Sequence, residues 1–123
     1  MTDLCHSRLL VLIESDPTTS PRPAEAVRVA AGVGAWRDIH VQLCLIGPAC
    51  ALAGDDLGAF CDGEELDHYL RMILGRGECP WVITEDAGRT EGKDAGTEGR
   101  MWRRLTMAEL AGEIARMNWV LRF

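Results

Sequence analysis

Four short, unbroken apolar runs, set apart by stretches of helical period, constrain what this chain can fold into more than any other feature. They are "LLVLIE" at 9–14, "HVQLCLIG" at 40–47, "PWVIT" at 80–84 and "NWVLRF" at 118–123. Strands that bury one face alternate apolar and polar residues; continuous apolar runs mark strands covered on both faces, as in a parallel sheet. The segments between them supply the cover. After "SDPTTS", Pro21 suits a first helical turn with Ser20 as its N-cap, and Ala24, Val27, Ala31 and Ala35 follow at spacings of three and four. Leu66, Tyr69, Leu70, Ile73 and Leu74 form a second stripe that ends near Gly75 and Gly77. "TMAE" opens a third helix, with Thr106 and Glu109 spaced for a capping box and Met107, Leu110, Ala111, Ile114 and Met117 on its buried side. Strand–helix alternation of these lengths predicts an α/β three-layer sandwich with a mostly parallel sheet and right-handed connections.

One stretch resists this pattern. "EDAGRTEGKDAGTEGRMWRRL", at 85–105, is rich in glycine and charge and has little periodicity, so a flexible charged loop is expected there. Within it, Trp102 is expected to seal the sheet while Arg103 and Arg104 stay solvated.

At 123 residues the chain is one domain, 1–123, long enough for a core without disulfide or metal staples. Its 13 basic and 19 acidic residues leave a net charge of −6, which argues against a nucleic-acid backbone or an anionic membrane as partner. The start, "MTDLCHSRLL", has no basic region followed by a long apolar run, and no apolar stretch approaches the roughly 20 residues that span a bilayer. Cys5, Cys44, Cys50, Cys61 and Cys79 form an odd set without a CxxC pair, which points to reduced, mostly buried thiols in the cytoplasm and to no zinc site. His6, His40 and His68 share no ligand spacing, so no metal and no cofactor is expected.

In open α/β sheets ligands gather outside the carboxyl ends of the strands. That rule sorts the candidates. Ser15, Asp16, Thr18, Thr19 and Arg22 follow the first run, Gly47, Pro48 and Cys50 the second, and Thr84, Glu85 and Asp86 the third. Ser15, Asp16, Thr18, Arg22 and Thr84 are therefore candidate ligand-binding residues, although "SDPTTSPR" lacks the glycines and lysine of a Walker loop. Cys50 is the candidate reactive thiol, because "GPACALAG" would place it in the first turn of a short helix, where amide dipoles stabilise a thiolate. Cys79 begins its strand and lies roughly 16 Å from Thr84, on the other edge. Cys44, in mid-strand, is core.

"LLVLIESDPTTSPRPAEAVRVAAG", "VQLCLIGPACALA" and "LAGEIARMNWVLRF" together resemble the DsrE/DsrF-like family of small sulfur-relay proteins, which have the YchN-like fold. The likeness is one of pattern and spacing and covers nearly the whole chain. It implies a cytosolic trimer or hexamer, of one or of several related subunits, that meets a sulfur donor or acceptor protein. It also implies a persulfide-carrying cysteine directly after the third long strand, and in this sequence that position is Thr84. A hydroxyl cannot store sulfane sulfur. The resulting expectation is a non-enzymatic assembly subunit or binding module. The alternatives are a persulfide carrier that uses Cys50, or less readily Cys79, and a small-anion-binding module built on the 15–22 loop.

Overall fold

Successive residues of a strand face opposite sides, and in the first strand both sides are buried. Leu9, Val11 and Ile13 belong to one apolar core and Leu10 and Leu12 to another. The computed structural model describes residues 7–36, 38–54, 57–76, 79–83 and 102–123. Its strands are β1 (Ser7–Ile13), β2 (Ile39–Leu45), β3 (Trp81–Ile83), β4 (Arg103–Leu105) and β5 (Trp119–Arg122), and its helices α1 (Arg22–Val33), α2 (Gly63–Gly75) and α3 (Met107–Ile114). All strand pairs are parallel and the order across the sheet is β4-β3-β2-β1-β5. This is an α/β sandwich.

The topology follows from the hand of the connections. β1, β2 and β3 succeed one another in one direction, and right-handed crossings place α1 and α2 on the same face. There Ala24, Val27 and Ala31 of α1 and Leu66, Leu70 and Ile73 of α2 close over Leu43, Leu45 and Val82. The chain then returns from β4 to β5 across the whole sheet, so the same rule puts α3 on the opposite face. Leu110 meets Cys44, Trp81, Ile83 and Leu105 there. The capping box of α3 is present: Glu109 N–H donates to Thr106 Oγ1 at 3.1 Å, and Thr106 N–H donates to Glu109 Oε1 at 2.9 Å.

Four expectations need correction. The stretch expected to be loop up to residue 105 ends in a strand, β4, which needs only Leu105 and the neighbouring Trp102 buried to hold it against β3. Arg103 and Arg104 are exposed, as solvated arginines should be; residues 84–101 of that stretch lie outside the described residues. The last apolar run is not covered on both faces, because β5 is the sheet's outer strand and all four of its residues are exposed. The expected buried stripe of α3 shrinks to Leu110, with Met107 52 % exposed, Ala111 and Ile114 exposed and Met117 half-buried. Among the described residues α3 is the one helix on that face, and its eight residues meet protein along only one line. Finally, α1 starts one residue later than expected. Pro21 is its N-cap, Ser20 Oγ accepts from Arg22 N–H at 3.1 Å, and Ala35 falls beyond the helix, exposed.

Candidate functional site at the carboxyl edge

The strand order creates one switch point. β1 leaves to α1 on one face, while its neighbour β5 arrives from α3 on the other, so the helices diverge above the β1–β5 seam. The carboxyl end of that seam is tied off by backbone and charge. Glu14 and Ser15 N–H both donate to Phe123 O, at 2.9 and 3.3 Å. Arg122 Nε and Nη2 donate to Glu14 Oε2 at 2.8 and 2.6 Å. The Arg22 guanidinium lies 6.0 Å from the centre of the Phe123 ring, within cation–π range. Glu14, Arg122 and Phe123 thus belong to this edge. No motif marked them, since only the strand order shows that the ends of β1 and β5 adjoin.

The loop after β1 is folded on itself. Asp16 Oδ1 accepts from Thr18 N–H at 2.9 Å and from Thr18 Oγ1 at 2.7 Å. The Thr18 amide, and after it the hydroxyl, hold the Asp16 carboxyl below its usual range. Asp16 O also receives Thr19 and Ser20 N–H, which closes the turn into α1. A second clasp comes from the turn before α2, where Cys61 N–H donates to Pro17 O at 2.8 Å and Cys61 Sγ lies 3.7 Å from Thr18 O. Ser15 differs from its neighbours: its Oγ is buried and has no hydrogen-bond partner among the described residues. Ser15, Asp16 and Thr18 therefore share one loop at the seam, with Asp16 and Thr18 engaged by each other, and Arg22 opens α1 directly after it; Thr84 lies outside the described residues.

Cys50 sits two strands away, beyond the ends of β2 and β3. Gly47, at φ +61°, makes the turn that leads into the 3-10 segment Gly47–Ala53, and only glycine takes that backbone angle freely. The turn returns Cys50 toward the sheet, where its Sγ lies 3.5 Å from Ile83 O and 3.6 Å from Leu45 O. Carbonyl oxygens accept from a thiol and repel a thiolate. Burial pushes the Cys50 thiol above its ordinary value and outweighs a backbone hydrogen bond at Ile83 that acts the other way; a helix start would have lowered it. A tight seven-residue 3-10 turn brings the carbonyls of two strand ends to the sulfur. Cys44, fully buried beneath it, is pushed up to about 12 by burial and then by Cys50. Cys79 lies just before the amino end of β3, on the other edge, where its carbonyl accepts from Gln42 Nε2 at 3.1 Å. It is exposed, not the packed thiol expected of mostly buried cysteines, and of the described cysteines only Cys44 is buried.

That opposite edge also carries a hollow of about 670 Å³ on the α3 face, walled by Trp36, Trp81 and Met117 with Arg8, His40 and Glu113. It is open and mixed in charge, and does not select a ligand chemistry. Among the described residues no group of three or more His, Cys, Asp or Glu is placed to hold a metal. No described helix is long and apolar enough to cross a membrane.

The architecture has a counterpart among solved structures. Over 95 % of its length the chain superposes on 99 % of the crystal structure of the ychN protein from E. coli, with a TM-score of 0.69 and 17 % identity. The chain has the YchN-like fold. No family model matches the sequence, and no curated protein is similar to it in sequence.

Proposed function

We propose that this chain is a DsrE/DsrF-like, sulfur-relay-type domain of the cytoplasm that does not itself carry sulfur and acts as an assembly subunit or binding module. One observation carries the reading. The thiol beyond the ends of β2 and β3, Cys50, donates toward the Leu45 and Ile83 carbonyls and is pushed by burial toward its neutral form. A carrier needs the opposite, an accessible thiolate with amides facing it. Thr84, the residue at the family's carrier position, has a hydroxyl that cannot form a persulfide. Homo-oligomerisation, as a trimer or hexamer, or assembly with related subunits belongs to the same proposal, as does contact with a sulfur donor or acceptor protein.

A second reading is favoured by Ser15. A buried hydroxyl without a partner is destabilised by about 1–3 kcal/mol relative to a bonded one, and an anion's oxygen would supply the bond. With Arg22 at the start of α1, where that loop ends, the edge suits a small anionic ligand of a binding module.

The test is intact-protein mass spectrometry after incubation with a persulfide donor, on the parent, Cys50→Ser and Cys79→Ser. The expected result is no gain of sulfur in any of the three. One sulfur lost only in Cys50→Ser would establish a relocated carrier and overturn the proposal. A sulfur lost only in Cys79→Ser would do the same and would also show that Thr84 is not the carrier position.

A further inference from the structure

The two edges of the sheet are finished in opposite ways. β4 ends one side with Arg103 and Arg104 exposed, the charged edge that keeps a sheet from pairing with another. β5 ends the other with Trp119 at 55 %, Val120 at 38 % and Leu121 at 40 % exposure, and its one charged residue, Arg122, is held by Glu14. Charge, proline and bulge, the usual guards of an edge, are missing from its apolar residues. Such a strand is a template for strand addition.

The register shows what would fit it. Leu121 lies beside Val11, and Phe123 N–H donates to Leu12 O at 2.9 Å, so Leu121 and Phe123 turn their amides toward β1. By alternation, Val120 and Arg122 turn N–H and C=O to the open edge. A twofold axis through Leu121 would bring a second β5 alongside, antiparallel. Val120 then faces Arg122 of the second copy, and the reverse, with four N–H···O bonds between them. Leu121 meets Leu121, and Trp119 meets Phe123, all on the α1 face. The strand is its own complement: outward amides match outward amides, apolar side chains match apolar ones, and each Arg122 brings its own counter-charge.

We infer that the outer edge of β5 is a self-association surface, occupied by β5 of a second copy of this chain in a twofold antiparallel pair that joins two sheets into one. This inference rests on the strand and its register, and stands apart from the sulfur question.

Sedimentation equilibrium on the parent, Val120→Pro and Leu121→Lys tests it, with far-ultraviolet circular dichroism to confirm folding. Proline at 120 removes an outward N–H and leaves the β1 ladder alone. The parent should sediment at an even multiple of its 13.5 kDa, and each folded variant at half the parent's mass. A parent that is monomeric at its highest soluble concentration, or a folded variant that keeps the parent's mass, overturns the inference. Should neither variant fold, Leu121→Cys decides. Side chains directly opposed in a non-hydrogen-bonded pair are close enough for a disulfide. Diamide oxidation should then yield a covalent dimer that neither the parent nor Val120→Cys gives; its absence overturns the inference.

Discussion

Leu45→Ala is expected to destabilise the protein by about 3–4 kcal/mol, a large part of the stability of a domain this size. Leu45 is fully buried in the last position of β2, between Ile13 of β1 and Val82 of β3, under the layer formed by α1 and α2. Strands on both sides fix its backbone, so the cavity cannot close by a shift of β2. Urea denaturation should show the midpoint falling by about 1.5–2 M at an unchanged slope. The effect should reach the candidate site as well, because the Leu45 carbonyl is one of the two that hold the Cys50 thiol. A loss below about 1 kcal/mol would mean that the core around β2 rearranges freely.

Gly63→Ala comes next in size. Gly63 opens α2, and a methyl group there would lie far inside van der Waals contact with the Leu57 carbonyl oxygen, and 3.1 and 3.2 Å from Gly58 Cα and C. All three are backbone atoms, so the turn itself must move. That turn carries the Cys61 N–H that clasps Pro17 O, hence the loop with Ser15, Asp16 and Thr18. Strain of this kind destabilises by about 2–3 kcal/mol. Hydrogen exchange at the Cys61 amide should speed up by more than global destabilisation explains. Exchange that changes only in step with global stability would mean the clasp does not depend on Gly63.

Much of the architecture could be read from residue order. Continuous apolar runs gave a parallel sheet because both faces of β1 and β2 are buried, and the Thr106–Glu109 box marked the start of α3 because capping is local chemistry. Cys44 was legible as core for the same reason as its neighbours in β2. What stayed hidden depends on position in the sheet. The "NWVLRF" run looks like a covered strand, yet β5 is at the edge; a run records what a strand can bury, not what one chain provides. β4 was hidden because a three-residue edge strand needs only one buried side chain of its own, and two arginines mask the signal. In α3 the stripe gives the facing side, but not how much protein lies there.

The site divides along the same line. Ser15, Asp16, Thr18 and Arg22 are close in sequence and fall together in one loop and the first residue of the helix after it, so the strand-end rule could find them. Glu14, Arg122 and Phe123 complete that edge only through the pairing of β1 with β5. Cys50 shows the limit of reasoning from one turn. Its short helical segment suggested an activated thiol, but the partners that decide its chemistry are a carbonyl five residues earlier and another on β3.

The central claim is that Cys50 is kept as a neutral thiol, and the pH dependence of its alkylation tests this most directly. Native protein is pulsed with iodoacetamide across a pH series, and modification at Cys50 is measured by peptide mass spectrometry. Burial raises the thiol above its ordinary value of 9.0 in the folded state, so the rate at Cys50 should be low at neutral pH and still climbing past pH 9. The same shift fixes the sign for stability: the contribution is whole below that ordinary value and is lost as pH rises through the folded one. A Cys50 rate that levels off below pH 8 would reveal a stabilised thiolate and contradict the non-carrier reading.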